Sequence, residues 1–123
     1  NNTQTRYFAD NIMILSFDST AKMQWSNVIS KSQFDDESDN LISYGNMITG
    51  GEVHLLFNTF ERRTYVLTDQ SIDPSGKLTR YPTLKNLDKG YDFLPRFAKQ
   101  VSARQLIVPC FYRNYLCLAR VDF

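Results

Sequence analysis

Apolar residues recur along this chain with a period close to two, and turn-forming residues interrupt them every eight to twelve positions. Side chains on a strand alternate between opposite faces, so the pattern specifies short antiparallel strands and leaves little room for helix. Strands are expected over 12–18, 23–29, 41–48, 52–58, 64–71, 77–82, 96–101, 105–111 and 115–122. In Asp73-Pro74-Ser75-Gly76-Lys77, Pro sets φ for a tight turn and Gly accepts positive φ, which makes 64–82 a hairpin. Thr49-Gly50-Gly51-Glu52 and Tyr112-Arg113-Asn114-Tyr115 are expected to close two more. The segment from Phe34 to Asn40 carries too much charge to pack, and a solvated loop is expected there.

Two further features turn strands into layers. Phe17 to Trp25 aligns without gaps on Ile72 to Arg80, at an offset of 55 residues, and Met47 to Phe57 lies on Gln100 to Cys110 by apolar pattern. A period of about 50 residues holding four short strands suits a propeller blade. Grouped this way, the strands are the end of one blade, a whole blade, and a blade lacking its last strand, which cannot close a ring. Most strands are also apolar on both faces, as with Ile12 and Ile14 against Met13, Leu15 and Phe17. A sheet with one wet face alternates cleanly, so two-sided apolarity implies sheets covered on both sides. The expected fold is therefore all-β, an antiparallel β-propeller-like fragment of about two blades and roughly nine strands. It forms one domain over 1–123, with 1–10 a flexible or strand-donating segment. The competing architecture is a self-sufficient β-sandwich with one core.

Composition excludes several function classes. Fourteen Lys and Arg against 13 Asp and Glu give no net field to hold a polyanion, and the arginines are scattered, so nucleic acid is not an expected partner. No apolar run approaches the roughly 18 residues of a spanning helix, so membrane insertion is not expected. Asn1-Asn2-Thr3 opens the chain without Met or a charged-then-apolar leader, which reads as a removed signal segment or, the favoured reading, a piece of something longer. The same triplet is formally a glycosylation sequon, discounted at a ragged terminus.

Asn11 to Gln33, with its strand, Asp18 turn, Trp25 and Lys31-Ser32-Gln33, resembles the "strand, Asp-x-x-Gly turn, Trp, Ile-Pro-Lys-x-Gln" segment of large exported Bacteroidetes proteins of unknown function. Gly51 to Asn58, the Asp73 hairpin and the closing stretch Arg113 to Phe123 are similar to later strands of the same proteins. The resemblance implies the C-terminal region of an exported, propeller-like chain, located outside the cytoplasm, and carries no catalytic residues. Ala21 stands where the first turn of those proteins has Gly, and Ser30 where they have Pro, so a looser or differently turned first hairpin is expected.

No residue earns a catalytic, cofactor-binding or metal-ligating role. His54 is the only histidine and has no partners at ligand spacing, so it reads as structural. A two-residue loop at Arg113-Asn114 would set Cys110 opposite Cys117, at a separation that permits a disulfide; two buried thiols are expected instead, because so short a loop gains little from a bridge. Asp35, Asp36, Glu37 and Asp39 lack the Gly and terminal Glu of a calcium loop. Ser16-Phe17-Asp18 with Trp25 faintly resembles the Asp box of sialidase-type propellers, itself a structural turn. Asp18, Asp69, Asp73 and Asp92 sit near strand ends or turns, where capping is the default role. Tyr81, Tyr91, Phe93, Tyr112 and Tyr115 fall in or beside turns, where rings pack between blades or touch a glycan or protein ligand. The expectation is a non-enzymatic binding or scaffolding module that self-associates or packs on the remainder of its parent chain. The alternative is part of an extracytoplasmic carbohydrate-active enzyme, a glycosidase-like propeller with its catalytic groups elsewhere.

Overall fold

The computed structural model describes residues 3–83 and 90–123; Asn1 of the sequon lies outside them. All strand pairing is antiparallel. β1 (Arg6–Phe8) pairs with β4 (Phe34–Asp36), and β2 (Ile12–Phe17) with β3 (Met23–Ile29). β5 (Gly45–Thr49), β6 (Glu52–Glu61), β7 (Thr64–Ile72) and β8 (Leu78–Arg80) follow one another across a four-stranded sheet. β10 (Lys99–Ser102), β11 (Gln105–Tyr112) and β12 (Tyr115–Asp122) form the last sheet, where β9 (Tyr91–Phe93) shares with β10 the same edge of β11.

The strand expected over 41–48 starts later, because Ser43 takes a left-handed turn with φ 75°. At 96–101, Pro95 opens a 3-10 turn over Pro95–Phe97 before β10 begins. The solvated loop expected at Phe34 to Asn40 is corrected. Its first residues form β4, because Arg6 on β1 meets Asp36 at 2.7 Å and the Phe8 and Phe34 rings pack 6.4 Å apart. Asp39 pairs with Arg96. The neutralising cations lie far away in sequence, so a charge count within the segment misses them. The N-terminal segment thus gives a strand to its own chain.

The middle sheet is covered on both faces. On β6, His54, Leu56 and Asn58 point one way and Val53, Leu55 and Phe57 the other, as strand alternation dictates. Met47, Leu56 and Leu67 form one core with Phe93, Leu106, Val108 and Cys110 of the last sheet. Leu55 and Phe57 form a second core with Ile12 and Ile29 of the β2–β3 hairpin. Two cores on opposite faces of one sheet are not the single core of a sandwich. The outer faces of the stack remain open: Met13, Leu15 and Phe17 are exposed on one end, Phe111, Leu116 and Leu118 on the other.

The hairpin turns explain the alignment of Phe17 to Trp25 on Ile72 to Arg80. Asp18 Oδ1 accepts from the Thr20 amide and hydroxyl and from the Lys22 amide at 2.7–2.9 Å. Asp73 Oδ1 accepts the same three bonds from Ser75 and Lys77 at 2.6–3.0 Å. The backbone bonds match too: Asp18 N to Lys22 O and Ala21 N to Asp18 O have their counterparts in Asp73 N to Lys77 O and Gly76 N to Asp73 O. The looser first turn expected from Ala21 is therefore corrected. The aspartate network holds Ala21 at φ 65°, where the second turn has Gly76 at 88°. Only Gly fits the second turn, because a Cβ there would stand 2.8 Å from the Trp25 ring, whose indole N–H donates to Pro74 O at 2.9 Å.

Ala21→Gly relieves a left-handed alanine and is expected to stabilise the chain by about 1 kcal/mol in urea unfolding, whereas Gly76→Ala costs about 2 kcal/mol or more. Hydrogen bonds to the ionised forms hold both carboxyls below the usual range, with Thr20 the leading donor for Asp18 and Ser75 for Asp73. The folded chain therefore binds these protons less tightly than the unfolded one. Their contribution is complete above about pH 4, the ordinary aspartate value, and disappears as pH falls through the lowered ones. Urea midpoints measured from pH 5 downward are expected to decline less steeply in the Asp18→Asn, Asp73→Asn double variant than in the parent.

Candidate functional site

A concavity of about 700 Å³ lies between β2 and the face of β5 and β6. Ile12 and Ile14 form one wall, Ile48, Val53 and Leu55 the floor, and Trp25 and Pro74 an end. β2 is hydrogen-bonded to β3 on one side alone, so its other edge runs along this groove. Glu52 and Asp73 are its carboxylates. Asp73 is engaged by its turn, and Glu52 accepts the Tyr81 hydroxyl at 2.8 Å and stands 3.4 Å from His54 Nε2. The groove presents apolar walls and a bare strand edge, the chemistry that accommodates an extended chain.

His54 lies on the opposite face of β6. It is 6% exposed, its Nδ1 is 2.9 Å from Asp69 Oδ2, and the Phe123 and Tyr81 rings lie against it at 4.8 and 5.4 Å. Burial raises the Asp69 carboxyl above the usual range, and the bond from His54 opposes that shift. Ser71 stands directly across the ladder from His54, which puts a serine, a histidine and an aspartate on one face. Ser71 is fully buried and its hydroxyl makes no hydrogen bond to His54. His54 is thus held by its bond to Asp69 and by the two rings packed on it.

The Lys31-Ser32-Gln33 motif occupies the crossover from the first sheet to the second. Lys31 Nζ donates to Ala9 O and Gln33 Oε1 at 2.6 and 2.7 Å. Gln33 Nε2 donates to Asn58 O at 2.7 Å, and Asn58 Nδ2 reaches Leu41 O and Phe93 O. Two buried amides thereby tie β6 to the crossover and to β9. Spacing did not identify this pair, since their partners are backbone carbonyls and no side-chain motif marks those.

Three of the five aromatic positions meet. Tyr112 stacks on Tyr91 with centroids 4.3 Å apart, Tyr115 faces Tyr112 across the hairpin at 76% exposure, and the Arg113 guanidinium lies 5.1 Å from the Tyr112 ring. Tyr81 is on the His54 cluster, away from them. Phe93 as a ligand contact is corrected: it is 8% exposed within the core, because its strand position pairs with Cys110, whose side chain points inward. Cys110 and Cys117 are free thiols paired across the ladder, and burial first, then the Cys117 contact, pushes the Cys110 thiol up to about 12. Asp35, Asp36, Glu37 and Asp39 take separate partners, Asp36 on Arg6, Glu37 on the Thr5 amide, Asp39 on Arg96 and Asp35 on the Asp36 amide. Among the described residues no three metal-ligating side chains converge.

Compared with protein-family models, curated proteins and solved structures, the chain matches none of them. Gln33→Ala strands the Asn58 carbonyl and the Ser43 amide and is expected to cost about 2–3 kcal/mol, and Asp69→Leu, which leaves His54 Nδ1 buried without its partner, about 3 kcal/mol, both read from urea denaturation midpoints.

Proposed function

We propose that this chain is a propeller-like, non-enzymatic binding or scaffolding module of an exported protein. Its working surfaces are the open sheet faces at the two ends of the stack. The single observation behind this is the contrast between a middle sheet buried on both faces and two end sheets whose outer faces keep Met13, Leu15, Leu116 and Leu118 in solvent. Contiguous exposed apolar surface of this kind marks association. The matched Asp18 and Asp73 turns support a repeating unit, and their place in Bacteroidetes-type exported chains rests on the resemblance of the turns and strands. The line of Tyr91, Tyr112 and Tyr115 favours a subsidiary glycan or protein contact at the β11–β12 tip. The glycosidase-like alternative draws less support, because Asp18 and Asp73 hold turns and Asp69 holds His54.

Light scattering on a sizing column at micromolar concentration tests the reading, together with fluorescence of a dye that binds apolar surface. A mass above one chain, or a monomer that binds the dye strongly, is expected. A monomer that leaves the dye dark overturns it.

A further inference from the structure

We propose that the chain associates with a second copy of itself head to tail, the outer face of β2–β3 in one copy lying on the outer face of β11–β12 in the next. This rests on the end faces being association surfaces, as proposed above, and adds which face meets which.

Stacking direction decides which face meets which. The matched Asp turns place Ile12 on Leu67, and both are buried against the sheet that follows in the chain, Ile12 on the middle sheet and Leu67 on the last. One position along, Met13, Leu15 and Phe17 correspond to Thr68, Gln70 and Ile72, which strand alternation turns back toward the sheet before. Met13, Leu15 and Phe17 therefore form a face built to receive a preceding sheet. The two-residue turns at Arg62-Arg63 and Arg113-Asn114 both lie in the left-handed region, and superposing them sets Leu118 on Leu67. Leu67 is 1% exposed beneath the following sheet; Leu118 is 70% exposed. The β11–β12 face is thus built to receive a following sheet.

A second copy supplies both missing layers at once. Its β2–β3 hairpin is a sheet with an uncovered backward face, and its last sheet has an uncovered forward face. The contact continues the packing that the chain makes internally on each side of its middle sheet. Pairing either face with itself would reverse the stacking direction. The centres of both faces are uncharged, Met13, Leu15, Phe17 and Val28 against Phe111, Leu116 and Leu118, as the core of a protein interface requires. Such a contact joins unlike surfaces, so it propagates until a ring closes or a filament grows.

The test uses complementation. Leu15→Glu disables one face and Leu118→Glu the other, both at exposed positions, and unchanged circular dichroism and urea midpoint establish folding. Should either unfold, Met13→Lys and Leu116→Lys replace them. Each variant alone is expected to be a monomer by light scattering at a concentration where the parent chain assembles. Their equimolar mixture is expected to double in mass to a dimer that grows no further, since the two intact faces are complementary and the ends are blocked. A mixture that stays monomeric, or a single variant that still dimerises with itself, overturns the head-to-tail mode while leaving the end faces as association surfaces. A parent chain that stays monomeric yet binds the apolar-surface dye likewise overturns the head-to-tail mode, and one that is monomeric and dark to the dye removes the reading beneath it.

Discussion

Everything in this structure depends on β6 being buried from both sides. Its alternate residues serve different cores, Leu56 facing the last sheet and Leu55 and Phe57 facing the first. A strand in that position exposes no face to water, so its stability comes from layers above and below, each contributed by a distant part of the chain. Apolar burial of this kind contributes about 25 cal/mol per Å² removed from water, which makes three stacked sheets more stable than any one of them alone. The cost is polar. Buried backbone beside β6 must still be hydrogen-bonded, and the side-chain amides of Gln33 and Asn58 accomplish this for the carbonyls of Asn58, Leu41 and Phe93.

The same two-sided packing decides which polar residues are available for chemistry. His54 and Asp69 face the layer above β6 and are sealed by Phe123 and Tyr81. Asp18 and Asp73 are saturated by turn amides. The groove along β2 and the two end faces are the accessible surfaces of apolar character, and the tyrosine line lies at the β11–β12 tip.

Most strands were legible from alternation, and the hairpin at Asp73 from Pro and Gly chemistry, because these are local preferences of a few consecutive residues. The equivalence of the two Asp turns was legible as well, although the strength of the aspartate network was not: Ala21 adopts a conformation that its own preference opposes. β4 and β9 were missed, and β1 was foreseen only as a strand lent by residues 1–10, for one reason. Each is three residues long and exists through a partner elsewhere, Arg6 for Asp36 and Tyr112 for Tyr91. The aromatic positions divided in the same way, since nothing in the neighbourhood of Phe93 distinguishes it from Tyr91 until the strand register turns one ring inward.

From residue order alone came the all-β class, the hairpins, the near-repeat and the two-sided covering that the middle sheet alone shows, for these follow from the period of side-chain alternation and from the φ that Gly and Pro allow. Only the folded chain decided that the layers stack on two separate cores, that Gln33 and Asn58 lock the crossover, and that the acids are paired with cations or amides rather than with one another. Those outcomes depend on contacts between residues tens of positions apart, where loop closure brings together groups that have no local signature.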